Sequence, residues 1–389
     1  MGGIAGGIMC AGETVFTNAR VVLADEVLSG TVAIRGGLIA AIGEGGSALP
    51  GAIDCGGDLL MPGLVELHTD NVERHMQPRP GALWPVEAAV LSDDRELAAA
   101  GITTVFNALC VGEVHSRTVR SGRLYEMADA VDYHFARNSL KIDHYFHWRC
   151  EVSYPGLREL LDPIIDHPRL RLISVMDHTP GQRQFVDSRK YAEYYQGKFN
   201  MTDEELAGFM ETRRRDSKAF GPANRRYVVD AARTRNIPLA SHDDATLAHV
   251  EEAFADGVTV AEFPTTAEAA RASHAAGMKV LMGGPNIVRG MSHSGNVPAV
   301  ELARLGLLDI VSSDYVPSSL LWGAMKLHTE AELPLHAAIA TVTLTPARAA
   351  GFEDRGEIEQ GLRADLIRVK PMDGAPLVRD VWCKGERVA

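Results

Sequence analysis

The stretch Leu64-Val65-Glu66-Leu67-His68-Thr69-Asp70 decides the fold, because an apolar, strand-like run ends there on an imidazole and a carboxylate two residues apart. Side chains alternate along a strand, so His68 and Asp70 share one side. Seven further runs of the same texture follow, at residues 102–107, 142–148, 170–176, 237–241, 258–263, 279–282 and 309–313. Helical patterns separate them, such as Leu247, Val250 and Phe254 behind Asp244, which the spacing places as an N-cap. Eight strands alternating with helices predict a parallel sheet, and eight is the number that closes a (β/α)8 TIM-type barrel.

The two ends of the chain differ from this middle. Thr14-Val15-Phe16, Arg20-Val21-Val22-Leu23 and Val32-Ala33-Ile34-Arg35 are short β-rich runs, and Gly36-Gly37 is a turn before Leu38-Ile39-Ala40. Asp365-Leu366-Ile367-Arg368-Val369 and Asp380-Val381-Trp382-Cys383 have the same character. Neither end is long enough to close a core alone, so a small β-sandwich assembled from both termini is expected. The expected division is a loose tail over 1–11, a β-domain over 12–60 and 351–389, and the barrel over 61–350.

With 46% hydrophobic and 23% charged residues, the 389-residue chain reads as globular rather than disordered. No run of about 18 apolar residues spans a membrane. The five cysteines are odd in number and show no C-x-x-C spacing, which points to free thiols, a reducing compartment and the cytoplasm. A net charge of −12 disfavours nucleic acid and anionic membranes as partners. An anionic small-molecule substrate would therefore require its own local cluster of arginines. A homodimer is the base-rate expectation for assembly.

Barrel enzymes build their sites at the C-terminal ends of the strands. Those ends carry His68 and Asp70 on the first strand, and the stretch His147-Trp148-Arg149-Cys150-Glu151 on the third. Asp177-His178 closes the fourth, His242-Asp243-Asp244 the fifth, Glu262 the sixth and Asp314 the eighth. A lone histidine is more often a satisfied core residue, and Asp243-Asp244 could simply cap a helix. The repetition at equivalent positions is what points to a divalent cation held by mixed nitrogen and oxygen ligands, zinc first and manganese or magnesium as alternatives.

Met61-Pro62-Gly63-Leu64-Val65-Glu66 leading into His-x-Asp resembles the first-strand motif of the amidohydrolase superfamily. Leu344-Thr345-Pro346-Ala347-Arg348-Ala349 and the closing stretch from Gly356 to Leu366 are similar to it as well. Stretches around Glu66–Asn71, Met176–Phe185, Ser241–Asp244, Glu262–Thr266 and Gly284–Gly290 resemble a narrower branch, the diphosphatases of phosphonate breakdown by the carbon–phosphorus lyase route. That resemblance implies cleavage of a ribose alkylphosphonate 5-triphosphate into the 5-phosphate and pyrophosphate, and transient contact with other enzymes of phosphonate breakdown. It also implies metal ligation by His68, Asp70, Glu151, His242 and Asp314, with Asp314 as the base that accepts the proton of the attacking water.

Three departures from the superfamily pattern stand out. Asp70 replaces the second histidine of His-x-His, Glu151 on the third strand stands in for a carboxylated lysine, and Glu262 replaces the usual sixth-strand histidine. A carboxylate-richer site is harder and better suited to a metal that also binds phosphate oxygens. One ion or two is left open, with Asp177, His178 and Glu262 as ligands of a second ion or as hydrogen-bonding supports.

Arg74, Arg79, Arg149, Arg183 and Arg289 fall just after strand ends, where two or three of them are expected to bind phosphate, with His293 beside them. The loop Gly283-Gly284-Pro285-Asn286 could let backbone N–H groups approach a phosphate, although a glycine-rich loop is weak evidence. Trp84 and Trp148 read more readily as packing residues than as sugar platforms. There is no G-x-x-x-x-G-K-[ST] loop and no G-x-S-x-G elbow. The competing readings are an amide or cyclic-amide hydrolase on the same barrel, and a metal-free scaffold subunit.

Overall fold

The computed structural model describes residues 12–79, 81–112, 122–183, 192, 196–197, 201–292, 295–372 and 374–389. The tail 1–11 and His293 lie outside them. Strands β1 (Glu13–Val22), β2 (Val27–Arg35), β3 (Leu38–Glu44), β4 (Ile53–Asp54) and β5 (Leu59–Pro62) open the chain. The barrel strands are β6 (Leu64–Thr69), β7 (Ile102–Val111), β8 (Asp143–Glu151) and β9 (Leu170–Met176), then β10 (Leu239–His242), β11 (Val260–Glu262), β12 (Lys279–Gly283) and β13 (Ile310–Ser312). Each coincides, within a few residues, with one of the eight runs expected from sequence. They pair in parallel in strict chain order from β6 to β13. A parallel bridge between Thr69 and Asp314 joins the last strand to the first.

Alternation along the strands sorts their side chains into two layers. Val65, Leu67, Phe106, Leu172, Ala240, Val260, Leu281 and Ile310 form one cluster with Tyr145 packed against it, so all eight strands contribute to the barrel interior. Phe146, Trp148 and Cys150 on β8 point the other way, into the layer shared with the surrounding helices. Trp148 is fully buried and stacks on Phe146 with ring centroids 4.7 Å apart, which makes it a packing residue.

Strands from the two termini combine in one sheet, ordered β16 (Glu386–Arg387), β15 (Leu377–Cys383), β14 (Leu366–Lys370), β5, β1, β2, β3, with β4 also on β1. The two ends of the chain meet at β14, which pairs antiparallel with β5, and in the core beneath, where Phe16 packs edge-on against Trp382 at 4.6 Å. Gly36 and Gly37 turn β2 into β3 with φ of +58° and +81°. A Cβ on Gly37 would also lie 2.9 Å from the Lys384 carbonyl oxygen, so the C-terminal hairpin requires glycine there.

Two local expectations are corrected. The helix after β10 spans Leu247–Ala255, and its N-cap is Thr246, whose hydroxyl accepts the His249 N–H, rather than Asp244. Its buried residues are Val250 and Ala253, while Leu247 and Phe254 face solvent. The stretch after β12 is a short helix, Gly284–Arg289, rather than an open loop. A Cβ on Gly284 would fall 2.6 Å from Ser319 Oγ, so that glycine serves helix packing. Among the described residues no helix is long and apolar enough to cross a membrane, and Cys55, Cys110, Cys150 and Cys383 are free.

At the N-terminal end of β8, Asp143 receives Arg363 at 2.6 Å, Lys384 at 2.6 Å and Arg355 at 3.2 Å, which ties the barrel to the C-terminal part of the chain. Burial opposes ionisation of Asp143, but Arg363 and Lys384 outweigh it and hold its carboxyl at about 2, below the ordinary 3.8. A carboxyl depressed on folding stabilises above its unfolded value and loses that contribution as pH falls through its folded one. Asp143→Asn should therefore cost about 2 kcal/mol at neutral pH. The gap in urea midpoint between variant and wild type should narrow as the pH is taken from 4 toward 2. A gap independent of pH would show that the ion pairs do not carry the effect.

Candidate active site

In the barrel interior, the residue two positions beyond each inward-facing core residue enters the mouth of the barrel. Tyr145, Ala240 and Val260 belong to the interior cluster. Two residues on, His147, His242 and Glu262 are each at least 95% buried. His68 joins them from β6, whose pairing with β7 shifts register between Glu66 and Thr69. The His68 and His147 rings are 5.1 Å apart, and those of His68 and His242 stack at 5.6 Å. Phe263 closes over both His68 and His242 at 5.0 and 5.5 Å.

Glu262 is the hub of this group. Its Oε1 lies 2.9 Å from His68 Nδ1 and its Oε2 3.3 Å from His242 Nδ1. His68, His242 and Glu262 bring one ligand-capable atom each within 4.8 Å of one another. A second such group, His178, His242 and Asp243, shares His242 with the first. His178 Nδ1 is 2.7 Å from Glu151 Oε2. Ser153 donates to the other Glu151 oxygen, and Arg213 donates to Ser153 Oγ at 2.6 Å.

Burial sets the protonation states. It pushes His147 down to about 3 against the pull of Glu262, and it holds His242 well below the ordinary imidazole range. It lifts Asp243 to about 7, although His178 and Arg149 oppose the rise. For Glu151 burial is outweighed by the hydrogen bond and charge of His178, with Ser153 and Arg213, and the carboxyl stays below its usual value. Neutral imidazoles beside an anionic carboxylate are the state in which these groups ligate a cation.

His147 supplies the clearest test of fit. Its Nδ1 lies 3.0 Å from the Leu67 carbonyl oxygen, which can only accept, so Nδ1 carries the proton. That leaves Nε2 as a bare lone pair, buried and without a hydrogen-bond partner among the described residues. An imidazole oriented through one nitrogen by a backbone carbonyl, with the other nitrogen bare, is the arrangement of a metal ligand. The donor set of His68, His242 and Glu262, with the bare Nε2 of His147 on a neighbouring ring, fits a divalent cation.

The structure distributes the sequence candidates unevenly. His68, His242 and Glu262 come together, and Glu151 reaches them through His178. Asp70 is 3.8 Å from Arg149 rather than in either cation-capable group. Asp314 stands half-buried at the closing seam, where its carbonyl oxygen accepts from Thr69 Oγ1 at 2.6 Å. Asp177 turns away, accepting from Thr179 N–H at 3.0 Å and from Ser217 Oγ at 3.1 Å.

Of the arginines, Arg149 is buried on the inward face of β8, in line with His147 and Glu151. Arg183 is buried and pairs with Asp244 and Glu252. Arg74 pairs with Glu96 on the surface, and Arg79 and Arg289 are exposed. His147 and Asp243 were not singled out from sequence. The period of two that links His147 to Arg149 and Glu151 would have found the first. Asp243 read as a cap residue, and only its backbone, with φ of +57°, turns it inward.

An amidohydrolase family model matches residues 86–389, and the chain belongs to that family. Within it, the chain is 44% identical over 376 residues to the alpha-D-ribose 1-methylphosphonate 5-triphosphate diphosphatase of Escherichia coli (strain K12), covering 96% of this chain and all of the relative. Solved structures share the fold at lower identity. The 5-methylcytosine deaminase from Klebsiella pneumoniae liganded with 5-fluorocytosine superposes with a TM-score of 0.65 at 17% identity, over 97% of each chain. The N-isopropylammelide isopropylaminohydrolase from Burkholderia multivorans superposes with a TM-score of 0.62 at 18% identity, over 96% of this chain and 97% of that one.

Glu262→Gln and His147→Ala should each lower affinity for the bound divalent ion by about 10- to 100-fold, measured by titrating metal into stripped protein. Unchanged affinity in both variants would remove this donor set from the site.

Proposed function

We propose that this chain hydrolyses alpha-D-ribose 1-methylphosphonate 5-triphosphate, or a homologous alkylphosphonate, to the 5-phosphate and pyrophosphate in the cytoplasm. The observation that carries the reading is the 44% identity to the Escherichia coli diphosphatase along its whole length. The carboxylate-rich donor set supports it. Glu262 at the hub and Glu151 behind His178 make a harder site than one built on imidazoles alone, and harder sites suit cations that also bind phosphate oxygens.

A divalent cation held by His68, His147, His242 and Glu262, with zinc the first expectation, would supply Lewis acidity that neutralises phosphoryl oxygens and makes water easier to deprotonate. The chain's own groups do the rest. Asp314, next to the first strand at the seam, takes the proton of the attacking water on its carboxylate. Arg149, buried beside Asp70, faces the developing negative charge. Water adds to phosphorus, the bridge between the α and β phosphoryl groups breaks, and diphosphate leaves with the bonding electron pair. Phe263 over the two imidazoles excludes bulk water, which strengthens each of these interactions.

The test is pyrophosphate release from the triphosphate by wild type and Asp314→Asn, with and without chelator. Wild-type release should require the metal, and the variant's kcat should fall by about 10²- to 10⁴-fold. Metal-loaded wild type that releases no pyrophosphate but cleaves an N-acyl compound would overturn the substrate and return the site to amide chemistry.

A further inference from the structure

Beside the site, on the side of β8, β9 and β10, lies a cleft of about 600 Å³. Its inner wall is the loop that follows β9, from Asp177 to Arg183, and its outer wall is the helix Asp203–Thr234. The cleft adjoins the candidate metal centre through Arg183, whose guanidinium reaches the His242 carbonyl oxygen at 3.4 Å. Four cationic side chains line it, Arg183, Arg214, Lys218 and Arg225, against two carboxylates, Asp177 and Glu252. Arg183 and Arg225 are also paired from behind the lining, with Asp244 and with Asp256 at 2.6 Å, so the cations left to the cleft are Arg214 and Lys218.

The two carboxylates are already engaged. Asp177 accepts from Thr179 and Ser217, and Glu252 pairs with Arg183 at 3.2 Å and Arg225 at 2.9 Å. Arg214 and Lys218, both exposed, form no ion pair with a described residue. They are four residues apart on one helix, where like charges destabilise. Two further donors in the lining lack partners among the described residues, Arg183 Nε and Arg225 Nη2, and their side chains are only 5% and 11% exposed. Buried guanidinium N–H groups without acceptors are costly unless a ligand meets them. Gly221 lines the same helix face, and a Cβ there would make only an ordinary contact, 3.6 Å from Ser217 Oγ.

We propose that this cleft is the subsite for the terminal diphosphate of the substrate, with Arg214 and Lys218 holding the group that departs as pyrophosphate. The assignment rests on the function proposed above and adds which end of a molecule that is anionic at both ends lies where. With the β and γ phosphates in the cleft, the α–β bridge lies toward His242 and the ribose phosphonate on the far side. Arg214 and Lys218 are positioning and specificity residues, since they touch the leaving group and take no proton.

The test uses the metal-loaded enzyme, inorganic pyrophosphate and methylphosphonate as separate probes, and an Arg214→Ala/Lys218→Ala double variant shown by thermal melting to be folded. Calorimetric affinity for pyrophosphate should weaken by about tenfold or more. Product inhibition by pyrophosphate should weaken with it, KM for the triphosphate should rise more than kcat falls, and inhibition by methylphosphonate should stay unchanged. An Arg214→Lys variant should recover part of the pyrophosphate affinity. Wild-type turnover with unaltered pyrophosphate affinity in the double variant overturns the subsite and leaves the function intact. Weakened methylphosphonate inhibition with unaltered pyrophosphate affinity also overturns it, by giving the cleft to the other end. Wild type that does not cleave the triphosphate overturns the function itself.

Discussion

Glu66 lies wholly inside the protein, between the first and last strands of the barrel. Its carboxylate accepts the His68 backbone N–H at 2.6 Å and the Ser313 backbone N–H, and Ser312 Oγ sits 2.6 Å from its Oε1. Apart from the bridge at Thr69 and Asp314, no hydrogen-bonded ladder joins β13 to β6 among the described residues. The side chains of Glu66, Ser312 and Thr69 supply the closure that backbone pairing supplies elsewhere in the barrel. Burial pushes the Glu66 carboxyl up to about 7, against the hydrogen bonds from Ser312, His68 and Ser313 that favour the ionised form. Everything at the mouth depends on this seam, because His68 and Asp314 stand on its two sides.

Closing the barrel forces histidines and carboxylates from separate strands into one dry volume. Burial keeps His147 and His242 neutral, and Glu262 lies between His68 and His242 within hydrogen-bond reach of both rings. The backbone bears part of the cost. Asp243, Phe263 and Asp314 each adopt positive φ just beyond a strand end, at 57°, 53° and 54°. Non-glycine residues held there carry about 1–3 kcal/mol of strain each. The strain turns Asp243 and Phe263 onto the centre, where the first joins a cation-capable group and the second roofs the imidazoles.

The same economy of charge separates the inner site from the cleft beside it. Inside, Arg149 and Arg213 are buried among the carboxylates, beside Asp70 and behind Glu151. Outside, on the helix Asp203–Thr234, Arg214 and Lys218 form no ion pair with a described residue. An acidic protein that handles a polyanion has to concentrate positive charge locally, because its long-range field repels the substrate. In the proposed subsite that charge comes from Arg214 and Lys218 on one helix face.

The sequence by itself determined the barrel, the pairing of the two termini and the strand-end placement of most candidate residues. These follow from local rules: alternation along a strand, turn residues between runs, and the position of active sites in parallel barrels. His68, His242 and Glu262 were legible because each ends an apolar run. Tertiary structure alone decided which of these residues meet. A strand reading puts Asp70 beside His68, but the fold sets it against Arg149, since a register shift in β6 changes which side chains point inward. His147 comes beside His68 through its place two residues above the interior core, and Arg74 pairs with Glu96 on a neighbouring helix. The cleft was invisible in sequence because its cations come from segments up to 42 residues apart, Arg183 and Arg225, and only packing shows which of their charges find partners.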